Sequence, residues 1–154
     1  MTEARTREVE DTVRTYLQTR EKADAGEVGW DAVAEFFTEG ATFIDPGWGR
    51  FEGRRNIRQF LRDSMQGLDG WSFPTEWIII QGDRVVIKFL NRLPGRRTDG
   101  TYYEAPGVQL LDYAGNGRFS REEDIINMVH LMEVIRDSAW VPGPGFKTPK
   151  EVVR

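Results

Sequence analysis

The chain contains no cysteine. That excludes a disulfide framework, a thiol nucleophile and any cysteine-based zinc site. Histidine is almost as scarce: His130 is the only one in 154 residues, so a histidine-cluster metal centre is excluded too. The carboxylates show no spacing that suggests a magnesium or calcium site, so no metal and no cofactor are expected. Long basic runs are missing, and 21 Lys and Arg stand against 25 Asp and Glu for a net charge of −4, which argues against nucleic acid as a partner. No apolar run approaches membrane-spanning length. The polar, charged start argues against a secretory signal. No membrane association is expected, and a cytoplasmic location follows by default.

Aromatic residues, by contrast, are abundant: five Trp, nine Phe and four Tyr. Aromatics in this number line an apolar cavity or build an aromatic core. A length of 154 residues, with 39% hydrophobic and 30% charged residues, describes one ordinary domain with chain enough for a core. Residues 1–138 read as that domain, and 139–154 as an irregular tail opening on Val141-Pro142-Gly143-Pro144-Gly145.

Helical periodicity runs over residues 4 to 25, where Val9, Val13, Tyr16 and Leu17 share a face and Gly26 supplies a stop. A shorter helix is expected over 29 to 38, with Trp30, Val33, Ala34 and Phe37 inward. A strand then spans 41–45. A third helix follows Gly53, with Ile57, Phe60, Leu61 and Met65 on one side and Arg54, Arg55, Arg58 and Arg62 on the other, a solvated face more than a phosphate stripe.

From residue 71 the period becomes extended. Strands are expected at Trp71 to Gln81 (interrupted by Pro74), Arg84 to Leu93, Thr101 to Tyr113 and Arg118 to Asn127, joined by turns at Gly82-Asp83 and Ala114-Gly117 and a loop at Pro94 to Gly100. Met128 to Ser138 reads as a terminal helix or as a continuation of the last strand. Helices gathered against an antiparallel sheet define an α+β domain. Bent at its prolines, the curved antiparallel or mixed sheet wraps the three N-terminal helices as a cone with an apolar interior.

Asp45 stands out locally. In Phe43-Ile44-Asp45-Pro46-Gly47-Trp48 an acid ends an apolar strand and starts a turn. Desolvation there raises a carboxyl pKa and makes a better base. Alternation along the last strand puts Glu122, Asp124 and Ile126 on one side, and Phe119, Arg121, Glu123 and Ile125 on the other. In Val85 to Asn91 it puts Ile87, Phe89 and Asn91 on the apolar side and Lys88 with Arg92 on the other.

Four stretches together resemble the SnoaL-like (polyketide cyclase) group of the nuclear transport factor 2-like superfamily, whose relatives include ketosteroid isomerases and limonene epoxide hydrolases. They are the helix carrying Tyr16, Ala41-Thr42-Phe43-Ile44-Asp45-Pro46, Phe51-Glu52-Gly53-Arg54, and Gly117-Arg118-Phe119-Ser120-Arg121-Glu122-Glu123-Asp124-Ile125-Ile126-Asn127. The resemblance covers roughly residues 7 to 135. It implies that Asp45 matches the isomerases' general base and Tyr16 their hydrogen-bond donor to an enolate oxygen. The strand matching their second, protonated acid reads Gly107-Val108-Gln109-Leu110-Leu111 and holds no acid, leaving Gln109 as the donor. Asp124 falls where the cyclases keep their base and the epoxide hydrolases an acid that activates water. The histidine expected on the cyclases' preceding strand is replaced near Gln109. The arginine that epoxide hydrolases set between two aspartates is missing from Val85 to Asn91.

The expected function is cofactor-free acid/base chemistry, isomerisation or aldol-type cyclisation, on a hydrophobic carbonyl compound. Asp124 or Asp45 is the base, with Tyr16 and Gln109 stabilising the enolate. Asn91, Trp48, Trp77, Phe89 and Glu122 are expected to contact the substrate, with Trp71 at the pocket mouth. A non-catalytic binding module or structural domain, and epoxide hydrolysis, are the alternatives. A homodimer through the sheet is the expected assembly.

Overall fold

The computed structural model describes residues 1–149; the rest of the expected tail, 150–154, lies outside the described residues. Helix α1 (Glu3–Asp24) starts where the Thr2 hydroxyl accepts the Arg5 amide at 3.1 Å, the usual way an N-cap satisfies a free helical N–H. Its inward stripe is Val9, Val13, Tyr16, Arg20 and Ala23, all buried. The expected second helix is a shorter 3-10 segment, Trp30–Phe36. Phe37, assigned to that helix from its spacing, already belongs to strand β1 (Phe37–Asp45).

After Asp45 the chain turns into β2 (Gly49–Glu52), a strand the sequence reading merged into the approach to α2 (Arg54–Met65). Strands β3 (Thr75–Gln81), β4 (Arg84–Arg96), β5 (Tyr102–Gly115) and β6 (Arg118–Ile126) form the meander, and α3 (Met128–Ser138) resolves the ambiguous segment as a helix. The Asn127 side chain accepts the His130 amide and caps α3. The six strands form one mixed sheet in the order β2-β1-β6-β5-β4-β3, with β1 and β6 parallel and every other pair antiparallel. The curved sheet does not close into a barrel and holds the helices in its concave face, as expected for the cone.

The core joins both layers: Tyr16, Phe37, Ile57, Ile87, Leu111 and Phe119 are essentially inaccessible. Each such side chain contributes about 1.5–3 kcal/mol of burial. Edge-to-face ring contacts tie α1 to the sheet, with Tyr16 and Phe119 centroids 5.5 Å apart.

Two departures from simple alternation matter for the site. Between Asp112 and Tyr113 on β5, the partner strand advances from Arg121 to Phe119, so Ser120 is an extra residue. This bulge turns Phe119 inward, onto the same side as Glu122, correcting the expectation that the two lie on opposite faces. The second irregularity falls between Thr75 and Trp77, and it leaves Trp77 opposite the outward-facing Lys88. Trp77 is 45% exposed on the convex face and does not reach the interior.

The tail after α3 has no strand or α-helix through residue 148, yet it is docked. Gly143 donates its amide to Gly67 O at 2.9 Å, the Trp140 indole donates to Asp69 O at 3.0 Å, and Lys147 pairs with Asp63 at 2.9 Å. Gly67 has φ of 78°, and a Cβ there would come within 2.7 Å of the Phe146 backbone. Only glycine suits both constraints.

Candidate active site

A cavity of about 260 Å³ lies between the helices and the concave face of the sheet. Four of the five tryptophans line it: Trp30, Trp48, Trp71 and Trp140. Met65, Met128 and Met132 add flexible apolar surface, and Trp140 and Phe146 of the tail complete the wall. Against this apolar lining stand a few polar groups contributed by separate elements: Tyr16 and Arg20 from α1, Asp45 from β1, Asn91 from β4, Gln109 from β5, and Glu122 with Asp124 from β6.

Glu122 is fully buried. Its Oε2 accepts the Tyr16 hydroxyl at 2.9 Å and its Oε1 accepts the Gln109 amide nitrogen at 2.7 Å. The other end of that amide, Gln109 Oε1, accepts from the Arg20 guanidinium, which also stacks 5.7 Å from the Tyr16 ring and 5.6 Å from the Phe89 ring. Arg20 is 7% exposed.

Asp124 is the direct cross-strand partner of Gln109. It retains some accessible surface although protein encloses it, so what it reaches is the cavity. Its carboxyl group is in hydrogen-bonding contact with that of Glu122. Two carboxyl groups bond to one another only by sharing a proton. Among the described residues no N–H or other hydroxyl satisfies the buried Asp124 Oδ1. Burial, then the Glu122 charge and its hydrogen bond, and then the charge of Asp45 push the Asp124 carboxyl well above the ordinary range, with Arg20 opposing. Glu122 is raised by burial, but Asp124, Arg20, Tyr16 and Gln109 all favour its ionised form. The shared proton is therefore favoured on Asp124, with Glu122 the more readily ionised of the two.

Asp45 sits in a different environment. Its Oδ2 accepts the amides of Gly47 at 2.9 Å and Trp48 at 2.8 Å, so the Asp-Pro-Gly turn solvates it with backbone N–H groups. Burial raises its pKa and these two bonds pull it back. Tyr16 is raised well above its ordinary value, first by burial and then by Glu122, so it stays a phenol.

The structure brings most of the expected site residues together. Asp45, Asp124, Tyr16, Gln109, Asn91, Trp48, Phe89 and Glu122 all line the cavity, together with Trp71; Trp77 does not. The Tyr16 hydroxyl and both ends of the Gln109 amide are bound to protein groups. Asn91 donates to Ala105 O of β5 at 3.2 Å. His130 lies in the first turn of α3, outside the cavity lining. Among the described residues no cluster of acids and histidines is arranged to hold a metal ion.

Sequence reasoning missed Arg20. Strand β4 carries no interior arginine, whereas α1 supplies one. A signal was present: Arg20 continues the stripe Val9, Val13, Tyr16 and lies one helical turn beyond Tyr16. The strand of Gln109 holds no acid, and directly across from it the adjacent strand carries Asp124.

An open, curved six-stranded sheet holding helices around an acid-lined apolar cavity defines the nuclear transport factor 2-like fold. Residues 13–122 match the SnoaL-like domain, and the chain belongs to that family. Among curated proteins, none matches the chain. Solved structures share the fold at low identity. A protein of Jannaschia sp. CCS1 assigned to the SnoaL-like polyketide cyclases is 20% identical, with a TM-score of 0.64 over 88% of this chain and 95% of that one. A limonene epoxide hydrolase-like enzyme of M. tuberculosis is 16% identical, with a TM-score of 0.64 over 86% and 92%. A protein of ketosteroid isomerase-like fold from Catenulispora acidiphila DSM 44928 is 17% identical, with a TM-score of 0.63 over 82% and 97%.

Proposed function

We propose that this protein is a cofactor-free acid/base catalyst acting on a hydrophobic carbonyl compound, with Asp45 as the base and Asp124 as the acid. The observation that carries the reading is the contrast between two carboxyl groups facing one apolar cavity. Asp124 shares its proton with a buried carboxylate, whereas Asp45 has two backbone amides to hold its charge. Environments that separate two pKa values in this way define an acid and a base. Asp45 takes the proton from the carbon beside the carbonyl, and the C–H electrons form the enolate. The Asp124 hydroxyl turns from Glu122 to the enolate oxygen and hydrogen-bonds to it as its charge develops. In isomerisation the proton on Asp45 returns to another carbon. In an aldol-type closure the enolate carbon attacks a second carbonyl, whose oxygen takes the Asp124 proton, and the proton on Asp45 then restores Asp124. Tyr16 and Gln109 act through Glu122 in this reading.

Arg20 favours a second reading, epoxide opening by water. The arginine absent from β4 is supplied by α1, beside the acids. Water loses a proton to Asp45 and bonds to an epoxide carbon. The epoxide C–O bond breaks, and its oxygen takes the proton of Asp124 to give a diol.

One experiment separates the two. The protein is incubated with panels of hydrophobic ketones and epoxides in deuterated water enriched in oxygen-18. Deuterium on carbon without oxygen-18 supports the first reading, and oxygen-18 in a diol without carbon-bound deuterium supports the second. Ligands that raise the melting temperature but leave unlabelled and unchanged would reduce the cavity to a binding site. Asp45→Asn is expected to abolish either label.

We also infer that two copies associate through the convex face of the sheet. Trp77, Ile79 and Ile125 are exposed there, at 45%, 55% and 52%, with Val86, Val108 and Leu110 between them in the strand pairings. An apolar row of this kind marks an interaction surface. Ile79→Lys is expected to convert a dimer to a monomer in sedimentation at micromolar concentration; a wild-type protein that is already monomeric there overturns the inference.

A further inference from the structure

We propose that Arg20 is a positioning residue: by clamping the oxygen of the Gln109 amide it turns the amide NH2 onto Glu122 and so leaves the single proton of the Glu122–Asp124 pair on Asp124. This deepens the acid/base reading of the same cavity and rests on it.

The orientation of the amide follows from chemistry. Arg20 has donors only, so the end of Gln109 it meets must be the oxygen. The NH2 group is then the end that faces Glu122, at 2.7 Å from Oε1. With the Tyr16 hydroxyl on Oε2, each oxygen of Glu122 already has a donor. A carboxylate fits such a cage, whereas a protonated Glu122 would bring an O–H against one of those donors. The one remaining place for the proton is Asp124, whose Oδ1 has no other partner. The sheet register enforces the triangle, because Gln109 and Asp124 are opposite one another on β5 and β6, while Glu122 lies two residues away on the same face.

Among the described residues, the groups that act most strongly on the pair belong to this set. Tyr16 and Arg20 approach from α1, Asp45 from β1, and Gln109 supplies the neutral link from β5. Asp24, one turn beyond Arg20, also feels the guanidinium charge, and its carboxyl is engaged by the Phe73 amide at 3.1 Å. Among the described residues, Arg20 is thus the cation whose charge bears most on both members of the carboxyl pair. Its contact with them runs through an amide that has two possible orientations when unclamped. If that amide flips, a carbonyl oxygen faces Glu122 in place of a donor, and the cage favours a neutral Glu122. Both acids are then protonated at neutral pH, and Asp124 has lost the carboxylate that orients its O–H.

The test reads protonation directly and needs no substrate. Carbon-13 labelled Asp and Glu carboxyl resonances are followed through a pH titration, with Asp124→Asn and Glu122→Gln used for assignment. In the wild type near pH 7 the Asp124 carboxyl is expected at the position of a neutral acid and Glu122 at that of a carboxylate. Arg20→Met and Gln109→Met should each move the midpoint of Glu122 upward by a pH unit or more. The double variant should move it no further than the larger single change, because both break one chain of contacts. Arg20→Lys, which keeps a donor, should restore most of the wild-type titration. Additive shifts would show that Arg20 acts by its charge alone, and an unmoved Glu122 midpoint would show that it does not act; either overturns the proposal. Should Arg20→Met not fold, Gln109→Met and Arg20→Lys carry the test, since the proposal requires a shift in the first and its near absence in the second. Failure of the acid/base reading appears elsewhere, as unlabelled ligands with the wild-type proton arrangement intact.

Discussion

Asp124→Asn is expected to lower turnover by about 10²–10⁴-fold, the usual worth of a positioned general acid, while leaving the fold intact. Asparagine is nearly the same shape, and its NH2 can still donate to Glu122. The contact that orients the side chain survives, and only the transferable proton is lost. Stability should stay level or rise, because the substitution relieves the burial of two adjoining acids. Asp124→Ala is the instructive contrast. It removes the donor to Glu122 and opens space beside it, so it should cost both stability and activity. The measurement is kcat on whichever compound is labelled, alongside the urea midpoint of each variant. Full activity in Asp124→Asn would remove Asp124 from the chemistry and leave Asp45 to work alone.

The second large effect concerns pH. Asp24, Asp45, Glu122 and Asp124 are all held above their ordinary values, with burial the leading cause in each. An acid whose folded pKa exceeds its unfolded value keeps its proton longer in the native state. Above the unfolded value, about pH 4, the native protein therefore binds more protons than the unfolded chain. Stability is then greatest below that value and falls as pH rises toward the folded pKa values. Each extra bound proton gives a slope of about 1.4 kcal/mol per pH unit over its window. Glu52, Asp83 and Asp99 are shifted the other way, but they are exposed surface groups, weakened by solvent screening, and they act at lower pH. Urea midpoints are expected to fall from pH 5 to pH 8, the reverse of ordinary acid lability, and Asp124→Asn should flatten the curve. A midpoint that climbs over this range would show that Asp124 and Glu122 are ionised together.

Much of this site was legible in the sequence, and the parts that were not share a cause. Asp45 announces itself locally, because an acid, a proline and a glycine in succession define their own turn. Glu122 and Asp124 lie two apart on one strand, so alternation was enough to place them together. Periodicity failed where an element departs from its ideal repeat. The bulge at Ser120 turned Phe119 to the inner face, and the 3-10 segment ended one residue before Phe37. Residue type misled at Arg20: an arginine on a helix is normally solvated, and only the converging amide and carboxylate make its burial tolerable. Tyr16 and Gln109 line the cavity, but their hydrogen-bonding groups meet Glu122, a partner more than 100 residues from Tyr16 in sequence. No local pattern encodes such a pairing.

The docking of the tail at Gly67 bears on how this protein can diversify. The proton-handling groups are fixed by α1, β1, β5 and β6, whose mutual register resists change. Trp140 and Phe146, which close the far wall, lie beyond the stretch matched to the family. Part of the chamber wall is thus carried by a stretch of chain separate from the acids. Mutations in the tail can reshape the chamber while the reaction stays the same, so relatives with identical acids need not share a substrate.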